Sequence, residues 1–198
     1  MVDIELIEKV KNGDRPAFRS LFNNHRDKVA RTAFLILKDN QHVEEVVQET
    51  FLQVCQKIKK LSDPTLFEGW LYKITVNQCF QILRKQRKMN TSSLDQYVES
   101  GFEVNTGGFT PEDIILANDT KEKLLKAIYS LPTKYTLVVI LYYYNNFSVK
   151  EIADIIKESE SNVKTRLFRA RKMLEKSLRE DFGVISRDSD GGALYEYR

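Results

Sequence analysis

The stretch Asn145–Lys176, NNFSVKEIADIIKESESNVKTRLFRARKMLEK, sets the expectation for the whole chain. Ser148 and Glu151 stand at capping-box spacing, so a helix is expected to start at Ser148. Ile152, Ile155 and Ile156 give it an apolar face, and Ala153 leaves room for a second helix to pack close. Lys157, Glu158 and Ser159 form a polar break. Val163, Leu167, Ala170 and Leu174 then recur at i, i+4, i+7 and i+11, the period of a buried helical stripe. The other face carries Lys164, Arg166, Arg169, Arg171, Lys172 and Lys176, with Glu175 as the nearby anion. A helix in the major groove needs this pairing: an apolar back that fixes it and a polar, cationic front. A solvated amphipathic helix has the same charge run. The preceding helix, at helix-turn-helix spacing, turns the reading toward DNA.

Composition sets wide bounds. The chain has 198 residues, 42% of them hydrophobic and 30% charged, as in a soluble globular protein of one large or two small domains. The net charge of +3 is too mild to demand a polyanionic partner, so its distribution matters more than its sum. Cys55 and Cys79 both fall in helical patterns, with no disulfide framework, which fits a reducing cytosol. The start, MVDIELIEKVKNGD, lacks the pattern of a signal peptide, and no stretch is long and apolar enough to span a membrane. A cytoplasmic protein without stable membrane insertion is expected. No phosphate-binding glycine loop, zincin helix or nucleophile elbow occurs, and no cofactor is expected. His25, His42, Cys55 and Cys79 match no standard zinc spacing; the expectation is no metal, core cysteines and surface histidines.

Nearly every other segment has helical period. Asp3–Asn12 reads as a short amphipathic helix ended by Gly13. Asp14 can cap a second helix with Pro16 in its first turn, burying Phe18, Leu21, Phe22, Val29, Ala33, Phe34 and Leu37. A third helix runs to about Leu61, with Val43, Val46, Val47, Phe51 and Val54 inward and Glu44, Glu45, Gln48 and Glu49 outward. A loop at Ser62–Pro64 precedes a fourth helix from about Leu66 to Lys88, aromatic and apolar first, then basic at Arg84, Lys85, Arg87 and Lys88. Residues 90–110 are polar, contain Gly107-Gly108 and lack period. As a flexible linker of about 21 residues they would average roughly 25 Å end to end and reach about 70 Å stretched. Thr110-Pro111 starts a new helix, Leu131-Pro132 another, and Tyr135–Tyr144 is strongly apolar and aromatic; Phe147 with Tyr142-Tyr143-Tyr144 is expected as core and cap. The tail from Gly183 reads as disordered. The fold class expected is therefore all-α: two small helical bundles, 1–89 and 111–182, joined by the linker 90–110, with a tail over 183–198.

Three motifs in this order resemble the extracytoplasmic-function (ECF) group of bacterial sigma factors, the smallest members of the sigma-70 family. Asp39–Val54, DNQHVEEVVQETFLQV, is similar to the stretch of sigma region 2 that docks on a coiled coil of the polymerase largest subunit. Trp70–Arg84, WLYKITVNQCFQILR, is similar to the helix that melts the promoter and reads the −10 element. Leu131–Leu174 is similar to region 4, the helix-turn-helix that reads the −35 element. The resemblance implies core RNA polymerase and promoter DNA as partners and leaves room for an anti-sigma factor. It assigns polymerase binding to Glu44, Glu45, Gln48 and Glu49. It places Trp70, Tyr72, Lys73 and Asn77 near the separated −10 strand, with Arg84, Lys85, Arg87 and Lys88 on phosphates. Stacking on exposed bases and cations on the backbone are the chemistry that offsets strand opening. At the −35 element it makes Lys164, Thr165, Phe168 and Arg169 the base-edge candidates and Arg166, Arg171 and Lys172 the phosphate contacts. Ser161 and Asn162, at the helix start, can meet either.

The chain departs from the family pattern where Lys157-Glu158 replaces a glycine and an apolar residue, where Gln81 stands in place of a frequent Asp, and at Glu68-Gly69. A positive φ at Lys157 would cost roughly 1 kcal/mol. The alternative, a stand-alone helix-turn-helix regulator, leaves Asp39–Val54 and Trp70–Arg84 without a role.

Overall fold

The computed structural model describes residues 3–91 and 119–182, with side chains over 3–86 and 123–179. Among these residues the chain is all-helical: α1 (Ile4–Lys11), α2 (Arg15–Leu37), α3 (Val43–Lys57) and α4 (Phe67–Thr91), then α5 (Asp119–Ser130), α6 (Thr133–Val139), α7 (Val149–Ile156) and α8 (Glu160–Phe182). Short 3-10 turns at Ile58–Lys60 and Pro64–Leu66 join α3 to α4, and α6 runs on into a π-helical turn, Ile140–Tyr144. The third helix is thus shorter than its apolar pattern suggests, because the last turn tightens to bring Ile58 inward. The helix start at Thr110-Pro111 and the tail 183–198 lie outside the described residues. So does the expected linker, apart from Asn90 and Thr91, which close α4.

Local chemistry fixes the helix starts. Asp3 and Asp14 each accept a hydrogen bond from the backbone three residues on, at 3.0 Å from Leu6 N and 2.9 Å from Ala17 N. Gly13, at φ +89°, supplies the left-handed step between α1 and α2. At α7 the capping box is complete: Glu151 N donates to the Ser148 hydroxyl, and Ser148 N donates to the Glu151 carboxylate at 2.8 Å. α7 ends on Lys157 at φ 57°, the left-handed conformation a glycine would adopt without strain. The backbone N–H groups of Lys157 and Glu158 both point to the Ala153 carbonyl, so the turn is hydrogen-bonded despite its cost.

Helices α1–α4 pack around Leu21, Val29, Val46, Val54, Phe67 and Leu71, all essentially inaccessible. In the second bundle α8 packs on α5, α6 and α7 through the stripe of Val163, Leu167 and Ala170. Ala170 sits against Leu131 and Val139, where its small side chain lets α8 approach α6. The two bundles are in contact: α4 meets α7, and α2 meets α6 and the π turn. One hydrophobic core runs from Ile7 in α1 to Leu167 in α8.

Two substitutions test the turn geometry. Ser148→Ala removes the cap and should lower unfolding stability by about 1 kcal/mol. Lys157→Gly relieves the positive φ and should raise it by about 1 kcal/mol. Urea titration of both variants checks this; equal midpoints for both and the parent would contradict the turn as described.

Candidate nucleic-acid interface

Helix α8 turns its apolar stripe inward and its polar row outward. Ser159 caps it, its hydroxyl accepting from Asn162 N at 3.2 Å. Thr165, Phe168, Arg169 and Lys172 occupy the exposed side opposite Val163 and Ala170, with Ser161, Asn162 and Lys164 exposed around the first turn. Phe168 is 51% exposed, an unusual place for a large ring, and the Lys172 ammonium sits 4.8 Å from its centroid.

The arginines of α8 are held, each differently. Arg166 pairs with Glu158 of the turn, and both side chains are only 26% exposed. Arg171 donates from Nε to the Tyr143 hydroxyl at 2.7 Å, with its guanidinium 5.7 Å from the Tyr143 ring and 5.9 Å from the Tyr142 ring. The Arg169 guanidinium beside Tyr135 holds that phenol below its usual range. Arg166 therefore sits on the flank of α8 as a tie between turn and helix, not on its outer row beside Lys172. Its position about 300° on from Val163, near the edge of the packed stripe, explains this.

On α4 the expected −10 residues divide. Asn77, Arg84 and Lys85 are exposed, and Trp70 and Lys73 are half-buried on the same side. Tyr72 is not with them: it is 1% exposed and packs edge-on against Phe147 at 5.2 Å between centroids. The reason is helical geometry, since Tyr72 lies about 200° around from Trp70 and only about 100° from the core residue Leu71. Burial drives its phenol well above the usual range. The side chains of Arg87 and Lys88 lie outside the described residues.

On α3, Glu44, Glu45 and Gln48 are exposed and Glu49 is half-buried. Glu44 meets Arg26 of α2 at 3.4 Å, and Glu45 meets His42 at 3.3 Å and Lys85 of α4 at 3.8 Å. Glu49 lines a small hollow of about 130 Å³ with Gln78, Gln81 and Lys85, so it faces α4 more than open solvent. Leu52, 51% exposed, extends this face by one turn.

Sequence reasoning missed the partners of the arginines and placed Tyr143 in the core. Tyr143 is 53% exposed. Three successive tyrosines at 142–144 span about 200° of helix, so they cannot all face one core; that was a usable signal. Glu158 gave none, because a turn separates it from Arg166. Cys79 is buried, its thiol pushed up to about 12 by desolvation, but Cys55 is exposed, unlike the core cysteine expected there. His25 is half-buried against Phe67, which lowers its pKa. No group of three or more His, Cys, Asp or Glu side chains fit to hold a metal occurs among the described residues. No helix among them is long and apolar enough to cross a membrane.

Residues 21–89 match the sigma-70 region 2 family and residues 121–174 match sigma-70 region 4. The chain is 30% identical over 183 residues to the ECF RNA polymerase sigma-E factor of Haemophilus influenzae, covering 90% of this chain and 96% of that one. It is 29% identical over 182 residues to the ECF RNA polymerase sigma factor SigW of Bacillus subtilis, covering 88% and 95%. Among solved structures, the sigma factor RpoE in complex with the anti-sigma factor NepR, from Bartonella quintana, is similar in fold, with a TM-score of 0.66 at 21% identity over 82% of this chain and 96% of that chain. CnrH, solved in complex with the cytosolic domain of CnrY, has a TM-score of 0.65 at 22% identity over 91% of this chain and 99% of that chain. Both region matches fall on the helices that carry the exposed α3, α4 and α8 faces, and the chain belongs to the sigma-70 family of RNA polymerase sigma factors, in its ECF group.

Proposed function

We propose that three faces of this chain divide the work of a sigma factor. As an ECF sigma factor it binds core RNA polymerase, directs it to specific promoters and promotes DNA opening. The division proposed is core docking by Glu44, Glu45 and Gln48 on α3, with Glu49 behind them. Strand capture at the −10 element falls to Trp70, Lys73 and Asn77 of α4, with Arg84 and Lys85 on phosphates. Base reading at the −35 element falls to Lys164, Thr165, Phe168 and Arg169 of α8, with Lys172 and Arg171 on phosphates and Ser161 and Asn162 at the entry. The observation that carries this reading is the two-sidedness of α8: a buried stripe with nearly no exposure and, opposite it, an exposed row of cations, a hydroxyl and an aromatic ring. The polymerase supplies the chemistry, so the chain itself is not an enzyme, and it works in the cytoplasm. By likeness to the two anti-sigma-bound or partner-bound neighbours, an anti-sigma factor is a further partner.

Two experiments test the division. Glu45→Lys with Gln48→Lys puts cations on the exposed part of α3 and should weaken co-purification with core polymerase at least about tenfold, with run-off transcription falling in step. Undiminished core binding would remove α3 from the docking surface. On duplex DNA, Arg169→Ala should cost roughly 1–3 kcal/mol on the preferred −35 sequence and little on a scrambled one. Arg171→Ala should weaken both duplexes alike and flatten the salt slope by about one unit. Tyr143→Phe, which keeps the ring but loses the hydroxyl that orients Arg171, should shift binding in the same unspecific way, by less. Equal losses on both duplexes for Arg169→Ala would leave α8 as a basic helix on a backbone.

A further inference from the structure

We propose that Glu158 withholds Arg166 from DNA: its carboxylate cancels a guanidinium at the edge of α8, so the helix grips the −35 backbone with one cation fewer than it carries. Glu158 is thereby a positioning residue for promoter recognition. The proposal rests on the −35 assignment of α8 made above.

Arg166 stands where a phosphate contact is expected. It lies about 60° around α8 from Arg169 and one turn before it, so the two project toward the same edge. A helix seated in the major groove has phosphates along each edge. Three other cations, Lys164, Arg169 and Lys172, occupy the exposed side of α8. None of these three has a carboxylate partner among the described residues, whereas Arg166 donates from Nη2 to Oε1 of Glu158.

The geometry favours the pair over an exchange of partners. Both side chains are only 26% exposed. Glu158 is also held at its backbone: its N–H donates to the Ala153 carbonyl at 3.0 Å, in the turn that Lys157 makes at φ 57°. The carboxylate is therefore fixed just before the start of α8. An arginine leaving it for a phosphate would abandon a half-buried carboxylate and set it beside a second anion.

The pair is more than a brace for the turn. Oε2 of Glu158 is buried and has no hydrogen-bond partner. An apolar side chain would pack the turn without that loss, since a buried ion pair seldom outdoes well-packed apolar residues in stability. What the carboxylate alone does is remove a charge. Attraction to DNA of unmatched sequence comes almost wholly from cations on phosphates, whereas base edges distinguish one sequence from another. Cancelling Arg166 lowers the hold of α8 on every sequence and leaves the row of Lys164, Thr165, Phe168 and Arg169 as it is. Less of the chain is then detained on unmatched DNA.

The test uses the full chain assembled with core polymerase, on promoter DNA whose −35 element is the preferred sequence or a scrambled one. Binding is measured over a range of salt, at a temperature that keeps the duplex closed. Glu158→Gln keeps the size of the side chain and removes its charge. It should tighten binding to both DNAs several-fold and steepen the dependence of log K on log salt by about 0.9, the effect of one phosphate contact. Ethylation interference should show a newly required phosphate beside the base pairs that Arg169 meets. Glu158→Ala should give the same result, and does so even if the glutamine keeps Arg166 in place. In an Arg166→Ala background neither substitution should steepen the slope, because no cation is released. Lys172→Ala tests the underlying assignment and should flatten the slope by about one unit. A slope that falls with Lys172→Ala and rises with neither substitution of Glu158 overturns the proposal alone. A rise that persists without Arg166 overturns it as well, and so does weaker binding confined to the preferred sequence. A slope unmoved by Lys172→Ala overturns the −35 assignment and the proposal with it.

Discussion

Helix α4 has more buried surface than one packing partner can supply, and the arrangement of the chain follows from that. From Leu71 to Ile82, residues spread over about 200° of its circumference are inaccessible, where a surface helix needs an apolar arc of only about 100°. Part of that arc faces α2 and α3. The remainder, marked by Tyr72, is covered by Phe147 and α7 of the other bundle.

The same economy of contacts recurs on α8. Its inner face is settled by close packing, with Ala170 small because α6 passes directly behind it. Its flanks are ordered by Glu158 on Arg166 and Tyr143 on Arg171. A long cationic side chain loses considerable rotamer freedom on binding, and tethering Arg171 in the free protein reduces that loss. The outer row, Thr165, Phe168 and Lys172, stays exposed.

Much of this was legible in the sequence, and the illegible part has a physical pattern. The capping box at Ser148 and Glu151, the Asp14 cap and the stripe of α8 follow from local rules, and each stands where its residues predict. Two readings differ because they depend on which face of a helix a residue occupies once a second bundle is present. Tyr72 looks like a DNA-facing aromatic beside Trp70 until the helical angle between them is counted. Tyr143 looks like core within a tyrosine run, yet the π turn carries it outward. The contacts of Asn145 with Thr32 and of Lys38 with Tyr129 join residues some ninety or more apart in the chain, and no periodicity encodes such pairs.

The central claim is that the outer row of α8 is the surface offered to the −35 duplex. A photoreactive benzoylphenylalanine in place of Phe168, which is 51% exposed, tests it in the complex with core polymerase and promoter DNA. The account predicts crosslinks confined to the −35 base pairs. Crosslinks spread evenly along the promoter, or none to DNA, would contradict the account.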